Sequence, residues 1–287
     1  MGEWQLLSLE IDKGGRDIGR FYEEELGWQV KRISLEEFLA EVGKTADQGF
    51  EIPEELSWMR PREDMILSKQ RIVSVINALT TGIDRPILTV GGSGYFHHYT
   101  YGLCAVASNL SPAICYIHLD HHTDCFPSGV FHGYKPEDVV TYCDFVEDLR
   151  CDKSNNIEDV IMVGAFAWGW CKGVISAIFR PTTQREVLQE FVSHLEGTCE
   201  DVYVSVDIDI TPKQECITDQ EDCDRGEIRK ELLNRILSTI KAEKNIVGAD
   251  VWGYSHNAYG FGLRDEFESM RNRSLELYKD VTGIIIN

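Results

Sequence analysis

The sequence predicts an α/β fold in three layers, with a doubly wound, mostly parallel sheet and helices on both of its faces. Two observations predict it. Short apolar runs alternate along the chain with amphipathic stretches of helical period, and polar clusters follow three of the apolar runs. No internal repeat or low-complexity linker marks a boundary, so residues 1–287 are expected to form one domain.

The strands are expected where apolar runs of strand length stand between turn residues. These runs are Gln5–Ile11, Pro86–Val90, Ala113–Leu119, Val160–Gly164, Val202–Ile208, Ile246–Trp252 and Thr282–Ile286. Because helical patterns separate successive runs, the strands are expected to pair in parallel.

Two stretches show helical spacing most clearly. One has an apolar face formed by Met65, Ile66, Ile72, Val73, Ile76 and Leu79. The other has an apolar face formed by Ile228, Leu232, Leu233, Ile236, Leu237 and Ile240. Asp224 and Glu227 have the spacing of a capping box at the start of this second helix.

The net charge and the cysteines exclude several classes of protein. With a formal net charge of −20, the chain is not expected to bind nucleic acid or an anionic membrane surface. Its nine cysteines include no Cys-x-x-Cys pair, which favours reduced thiols in a cytoplasmic protein. No signal peptide or apolar run of membrane length is present, so no membrane association is expected.

Charged residues follow two of the predicted strands directly. Asp120, His122 and Asp124 come after one strand, and Asp207 and Asp209 come at the end of another. If strand geometry continues, their spacing of two places each set on one face. Open parallel sheets bind ligands at this edge. Read singly, these residues would be helix caps or structural histidines, but their shared spacing favours a metal site.

The residue types indicate which metal is expected. Buried carboxylates on one face repel each other and lose hydration, and a divalent cation offsets both costs. Carboxylate and imidazole ligands without a thiolate suit manganese better than structural zinc. Four aspartates exceed the needs of one ion, so two ions about 3.5–4 Å apart are expected. His121 points opposite to its neighbours and is interpreted as a packing or supporting residue.

Three motifs in order resemble the ureohydrolases, the family of arginase, agmatinase and formimidoylglutamase. They are a Gly-Gly turn followed by histidine, Asp-x-His-x-Asp at 120–124, and Ser-x-Asp-x-Asp at 205–209. The run SGVFHG at 128–133 also resembles the family's Ser-Gly-Asn-x-His-Gly. The resemblance implies an arginase-like fold, two manganese ions, and hydrolysis of a C–N bond by water activated between them.

The resemblance also implies a role for each matching residue. The metal ligands implied are His97, Asp120, His122, Asp124, Asp207 and Asp209. Asp120 and Asp207 would bridge the ions. Asp124 and the histidine of the first motif would bind one ion, and the other two ligands would bind the second. His132 would transfer protons, Asp124 would also be catalytic, and Ser128 would contact the substrate.

The first motif departs from the family pattern. The family reads Gly-Gly-Asp-His-Ser, whereas this chain reads GGSGYFHHYTYG, without the acid and with three residues inserted. Counting back from Gly102 favours His97 as the ligand, and His98 stays open as its rival.

A second departure concerns the substrate. The family's Asp-x-x-Glu-x-Asn-Pro stretch, whose glutamate grips the substrate, corresponds to ADVWGYSHN, and Gly253 stands at the glutamate position. Without this acid a guanidinium has no bidentate partner, so arginine and agmatine are not the expected substrates. A pocket lined by Trp252, Tyr254 and His256, acting on another amide, amidine or guanidine-like bond, is expected instead.

Two other functions stay open. A catalytically silent arginase-like protein that binds a ligand or a partner protein would explain why the acid of the first motif and the substrate glutamate are both missing. A single-zinc, deacetylase-like amidohydrolase would share the sheet architecture and an Asp-x-His element. The expected partner is a small-molecule substrate. Ureohydrolases often form trimers or hexamers, so a homo-oligomer is compatible with the resemblance.

Overall fold

The computed structural model describes residues 4–44, 68–125, 140–141, 144–152, 155–165, 177–179, 184–212, 214–218, 226–255 and 264–287. The strands in these ranges are β1 (Gln5–Glu10), β2 (Val30–Ser34), β3 (Ile87–Val90), β4 (Ile114–Leu119), β5 (Ile157–Val163), β6 (Ala177–Phe179), β7 (Asp201–Asp207) and β8 (Asn245–Trp252). The helices are α1 (Lys13–Arg20), α2 (Leu35–Lys44), α3 (Lys69–Thr80), α4 (Thr100–Ala107), α5 (Phe145–Cys151), α6 (Gln184–Leu195), α7 (Lys230–Glu243) and α8 (Arg264–Ile286).

The described strands form one parallel sheet of eight strands, in the order β2-β1-β3-β8-β7-β4-β5-β6. After β3 the chain builds the far half of the sheet from β4 to β6. It then returns to insert β7 and β8 between β4 and β3. Because all these strands run in one direction, the carboxyl ends of β3, β8, β7 and β4 lie side by side at one edge.

Helices cover both faces of the sheet, and each face has its own buried core. On one face α1, α6, α7 and α8 pack over side chains such as Ile117 of β4 and Val204 of β7. On the other face α2 to α5 pack over Tyr116 and Tyr203 of the same strands. Neighbouring residues of a strand therefore serve opposite cores, as the alternation of strand side chains requires. These layers confirm the predicted fold class.

Six of the seven predicted strands are confirmed, with small shifts of their ends. The prediction for Thr282–Ile286 is wrong, because these residues form the last turns of α8. One helical face of this segment is buried, comprising Tyr278, Val281, Thr282 and Ile285. Its β-branched composition favours a strand, but packing against the core overrides that local preference. Neither α8 nor any other described helix has the length and apolar character needed to cross a membrane.

The sequence does not predict β2 and β6, and these strands are the two edges of the sheet. β2 has one buried residue, Ile33, between half-buried and exposed neighbours, and β6 is three residues long. An edge strand of this kind lacks the apolar run by which buried parallel strands are identified.

The two predicted helical faces are found in α3 and α7. In α3 the predicted residues Ile72, Ile76 and Leu79 are buried and Val73 is half-buried, whereas Met65 and Ile66 lie outside the described residues. The predicted apolar residues of α7 are buried throughout: Leu232, Leu233, Ile236, Leu237 and Ile240.

The predicted start of α7 is wrong. The helix begins at Lys230 and not at the capping-box residues upstream. The Glu215 carboxylate accepts the backbone N–H of Lys230 at 2.8 Å. An acid 15 residues upstream, and not a capping box, therefore satisfies this first-turn N–H group.

We expect Ile236→Ala to lower the free energy of unfolding by about 2–5 kcal/mol, because the truncated side chain leaves a cavity in the buried face of α7. Leu110→Ala is the control, since Leu110 is 42% exposed. It should change the same free energy by no more than about 0.5 kcal/mol. Denaturant unfolding of both variants checks the prediction, and equal losses would contradict it.

Candidate metal centre

Side chains from neighbouring strands meet at the carboxyl edge of the sheet, on the face covered by α4 and α5. The residues on this face are Tyr116, His118 and Asp120 along β4, Tyr203, Ser205 and Asp207 along β7, and Asp250 and Trp252 along β8. The register places His118 beside Ser205, and Ser205 beside Asp250. A row of polar side chains therefore crosses the sheet beneath its edge.

The predicted ligands that follow β4 lie in a turn. The strand ends at Leu119, and the Asp120 carboxylate accepts the backbone N–H of His122 at 2.5 Å. Asp124 has a φ of +43°, a left-handed conformation in which aspartate is enriched among non-glycine residues. Its carbonyl accepts the N–H of Val146 in α5 at 3.0 Å. The expectation of a continued strand is therefore wrong, and the turn brings the carboxylates together.

A second turn follows β7, at Ile208–Ile210. The Asp207 carboxylate accepts the backbone N–H of Asp209 at 2.9 Å. The Asp209 carboxylate accepts the backbone N–H of His121 at 3.2 Å and lies 2.8 Å from Nδ1 of His122. His121 thus supports a predicted ligand through its backbone, while its ring packs edge to face against that of His122.

The imidazole of His97 stands among the carboxylates. Its Nδ1 lies 3.4 Å from Asp120 Oδ2, 3.5 Å from Asp124 Oδ2 and 3.8 Å from Asp207 Oδ2. The neighbouring His98 turns away, with its Nδ1 3.1 Å from the carbonyl oxygen of Tyr95. Of the two histidines left open by the sequence, His97 is the one that the structure brings to the carboxylates.

A third histidine, His118, joins the same cluster. Its Nε2 lies 3.2 Å from Asp120 Oδ2 and 3.8 Å from Asp124 Oδ2, and its Nδ1 lies 3.0 Å from the hydroxyl of Tyr116. The sequence does not predict this residue, because it lies inside an apolar run. The signal that could have identified it is the spacing of two, which extends back along β4 from Asp120 to His118.

Two groups of potential metal ligands result, and they share Asp120. One comprises His97, His118 and Asp120, and the other comprises Asp120, His122 and Asp209, with the ligand atoms of each group within 4.8 Å of one another. Nδ1 of His97 and Nε2 of His118 are buried, and neither has a hydrogen-bond partner in the described part of the chain. Unsatisfied nitrogens beside buried carboxylates fit a divalent cation.

Hydrogen bonds behind the cluster fix which nitrogen of His97 faces it. Nε2 of His97 lies 2.6 Å from Ser205 Oγ, and Ser205 donates to Asp250 at 2.5 Å. Thr100 and Tyr203 donate to the second Asp250 oxygen at 2.7 Å each. Because Ser205 donates its proton to Asp250, its oxygen accepts from Nε2 of His97. The lone pair of Nδ1 therefore faces the carboxylates, as in a metal-binding imidazole.

The pKa values reflect an excess of buried negative charge. Burial and the nearby Asp120 carboxylate raise the pKa of Asp124 well above its usual range. Burial also favours a higher pKa for Asp120. The imidazoles, that of His118 above all, outweigh this effect and hold the pKa of Asp120 well below its usual range. Burial opposes the charged form of His122, yet Asp209 and Asp120 raise the pKa of that imidazole.

The backbone after β8 passes close to Asp207 at Gly253. This glycine has a φ of +99°, and a Cβ atom at its position would lie 2.0 Å from Asp207 Oδ1 and 3.1 Å from the nitrogen of Ile208. Only glycine fits both the conformation and the space. The position that corresponds to the family's substrate glutamate is therefore closed to any side chain while Asp207 keeps its place.

The aromatic residues expected in a substrate pocket are fully buried. The ring of Trp252 lies against Gly91, with its centroid 6.3 Å from that of His97. Tyr254 belongs to the core on the opposite face, where it packs edge to face against Tyr278. The expectation that these two rings line a pocket is corrected accordingly. The remaining predicted site residues, Ser128, His132 and His256, lie outside the described residues.

We expect Ser205→Ala to weaken the binding of divalent cations by about 10–100-fold, because the acceptor that orients His97 is lost. Ser8→Ala is the matched control, since Ser8 is an equally buried serine on β1 that bonds the carbonyl oxygen of Gly15. Its affinity for the same cation should be unchanged in isothermal titration. Equal affinities in both variants would contradict the assigned role of Ser205.

We expect Gly253→Ala to weaken cation binding more than Gly82→Ala does. Both glycines have left-handed backbones, with φ of +99° and +83°, so the backbone strain of an alanine costs about 1–2 kcal/mol of stability at each position. No atom lies within 4 Å of a Cβ at Gly82, whereas at Gly253 the new methyl group must displace Asp207. Cation titration of the two folded variants checks this, and equal affinities would contradict it.

The sequence matches no family model and no characterised protein in direct sequence comparison, whereas solved structures match along almost the whole chain. Arginase from Bacillus caldovelox superposes with a TM-score of 0.65 at 12% identity, over 99% of each chain. A hypothetical agmatinase from Burkholderia thailandensis gives 0.60 at 16%, over 98% of this chain and 85% of its own. Proclavaminate amidino hydrolase from Streptomyces clavuligerus gives 0.57 at 12%, over 98% and 90%. The chain therefore has the fold shared by arginases, agmatinases and related ureohydrolase-type enzymes.

Proposed function

We propose that the chain is a metal-dependent hydrolase that cleaves a linear C–N bond with the help of two divalent cations. The observation that carries this proposal is the pair of ligand groups that share Asp120. Structures of similar fold are named arginase, agmatinase and amidino hydrolase, which supports hydrolase chemistry. Manganese is the first cation to test, because carboxylates dominate the ligands.

The geometry supports a division of the ligands between two ions. Asp120 would bridge them, since its Oδ2 lies 3.4 Å from Nδ1 of His97 and its Oδ1 lies 3.5 Å from Nδ1 of His122. Asp124 would complete the ligand set of the first ion, and Asp209 would complete that of the second. When bound, the cations would activate water and polarise the bond to be cleaved.

The other predicted ligand, Asp207, lies at the junction of the two groups. Its Oδ2 is 3.8 Å from Nδ1 of His97, and its Oδ1 accepts the backbone N–H of Asp209. This carboxylate lies near one residue of each group, which supports a second bridging role. We assign it that role in the proposed centre.

Two roles in the proposal rest on motif position alone. His132 would transfer protons between the activated water and the leaving nitrogen, because imidazole titrates near neutral pH. Ser128 and His256 would contact the substrate. Asp124 would have a catalytic role through its place beside the first ion.

Arginine and agmatine are not the proposed substrates. In the family that the motifs resemble, the carboxylate that grips the guanidinium projects from the position of Gly253, and here the Asp207 oxygen fills the space where a Cβ would stand. The proposed substrate is therefore a different amide, amidine or guanidine-like compound, recognised by other groups than a bidentate acid at this position.

Metal analysis combined with a substrate panel tests the proposal. We expect the purified chain, stripped by chelation and reloaded with Mn²⁺, to hold about two ions and to release amine, ammonia or urea from a member of an amide, amidine and guanidine panel. Asp120→Asn should lose both properties. Glu10→Gln is the control, since Glu10 is also a buried carboxylate but pairs with Arg32 on the far side of β3.

The outcomes separate the alternatives. Two bound ions without hydrolysis of any panel member would contradict the enzyme proposal and favour a silent, ligand-binding protein. A single tightly bound zinc ion with amide hydrolysis would favour the deacetylase-like reading. Asp120→Asn with unchanged metal content would contradict the shared ligand itself.

A further inference from the structure

We propose that His118 is a metal ligand, so that one of the two ions is held by two imidazoles and prefers zinc to manganese. Its ligands would be His97, His118, Asp120 and Asp124, together with the bridging carboxylate of Asp207. This inference rests on the proposed metal-dependent function and specifies the chemistry of one of its ions. The motifs of the sequence supply a single imidazole to this ion, and the second one comes from the strand itself.

The two imidazoles are held in the same way. Each has one nitrogen on a buried hydroxyl, Ser205 for His97 and Tyr116 for His118, at 2.6 Å and 3.0 Å. Each has its other nitrogen buried, without a hydrogen-bond partner in the described residues, and close to a carboxylate oxygen. A metal-binding histidine characteristically has its second nitrogen fixed by such an outer partner.

The separations of the four ligand atoms suit one ion. His97 Nδ1 lies 3.4 Å from Asp120 Oδ2 and 3.5 Å from Asp124 Oδ2. His118 Nε2 lies 3.2 Å and 3.8 Å from the same two oxygens. Four ligands at about 2.0–2.1 Å in a tetrahedron are about 3.3–3.4 Å apart. These four nitrogen–oxygen distances lie close to that spacing, so small side-chain adjustments would bring the four atoms to one ion.

The ligand types decide the preference between metals. Imidazole nitrogen favours zinc, iron and nickel, whereas carboxylate oxygen favours magnesium, calcium and manganese. The group of His118 offers two imidazoles, while the group of Asp209 offers only that of His122. We therefore infer that the two ions differ, with the nitrogen-rich position selecting zinc over manganese.

The first experiment counts imidazoles in the unaltered protein. The chain is stripped by chelation and loaded with one equivalent of Zn²⁺, and X-ray absorption at the zinc edge reports the ligands. Two imidazoles per zinc ion are expected, and one imidazole would overturn the proposal. This measurement needs no variant, so it decides the question even if a substitution prevents folding.

The second experiment uses His118→Asn, with His98→Asn as the matched control. Both histidines are buried, but Nδ1 of His98 faces the carbonyl oxygen of Tyr95. We expect zinc affinity, measured by competition with a chelator, to fall at least about 100-fold in His118→Asn. The intensity of the visible Co²⁺ spectrum should also change. His98→Asn should match the unaltered chain, and equal zinc affinities in the two variants would overturn the proposal.

The failure of this inference is distinguishable from the failure of the proposed function. A zinc site that depends on His118, in a protein that hydrolyses no C–N bond, would overturn the enzyme proposal and support this one. Hydrolysis by a protein whose zinc affinity is insensitive to His118→Asn would support the enzyme proposal and overturn this inference.

Discussion

Mutual repulsion among four buried carboxylates is the constraint around which the carboxyl edge of the sheet is arranged. Asp120, Asp124, Asp207 and Asp209 are each no more than 8% exposed. Carboxylates placed together in a protein interior lose hydration and repel each other, which costs several kcal/mol per ion unless positive charge compensates. The buried nitrogens without partners beside them show that the described protein groups alone do not complete this compensation.

Much of the surrounding structure serves to hold these charges in place. Backbone N–H groups of the two turns donate to Asp120, Asp207 and Asp209. The sheet register brings two hydroxyl donors of β7 to Asp250, and Thr100 of α4 supplies a third within the core. A polar network in a core is stable only when its members are satisfied. Here the unsatisfied nitrogens of His97 and His118 lie where the network meets the carboxylates.

The sequence predicted the sheet and most of the candidate ligands, although part of the reasoning was wrong. The spacing of two identified Asp120, His122 and Asp124, yet these residues lie in a turn whose hydrogen bonds, and not strand alternation, orient them. The sequence did not identify His118, because buried strand residues are expected to be apolar. The edge strands and the end of α8 could not be predicted, because packing against distant elements and not local composition decides their structure.

The close approach of Gly253 to Asp207 also restricts how this fold can change its specificity. In a site where the substrate-gripping residue projects freely, a point mutation can exchange one ligand class for another. Here the Asp207 oxygen occupies the space of a Cβ at this backbone position, so a recognition side chain and a candidate metal ligand compete for the same place. Placing an acid at this position requires a second change that moves the Asp207 carboxylate, so a change of specificity here takes at least two coupled substitutions.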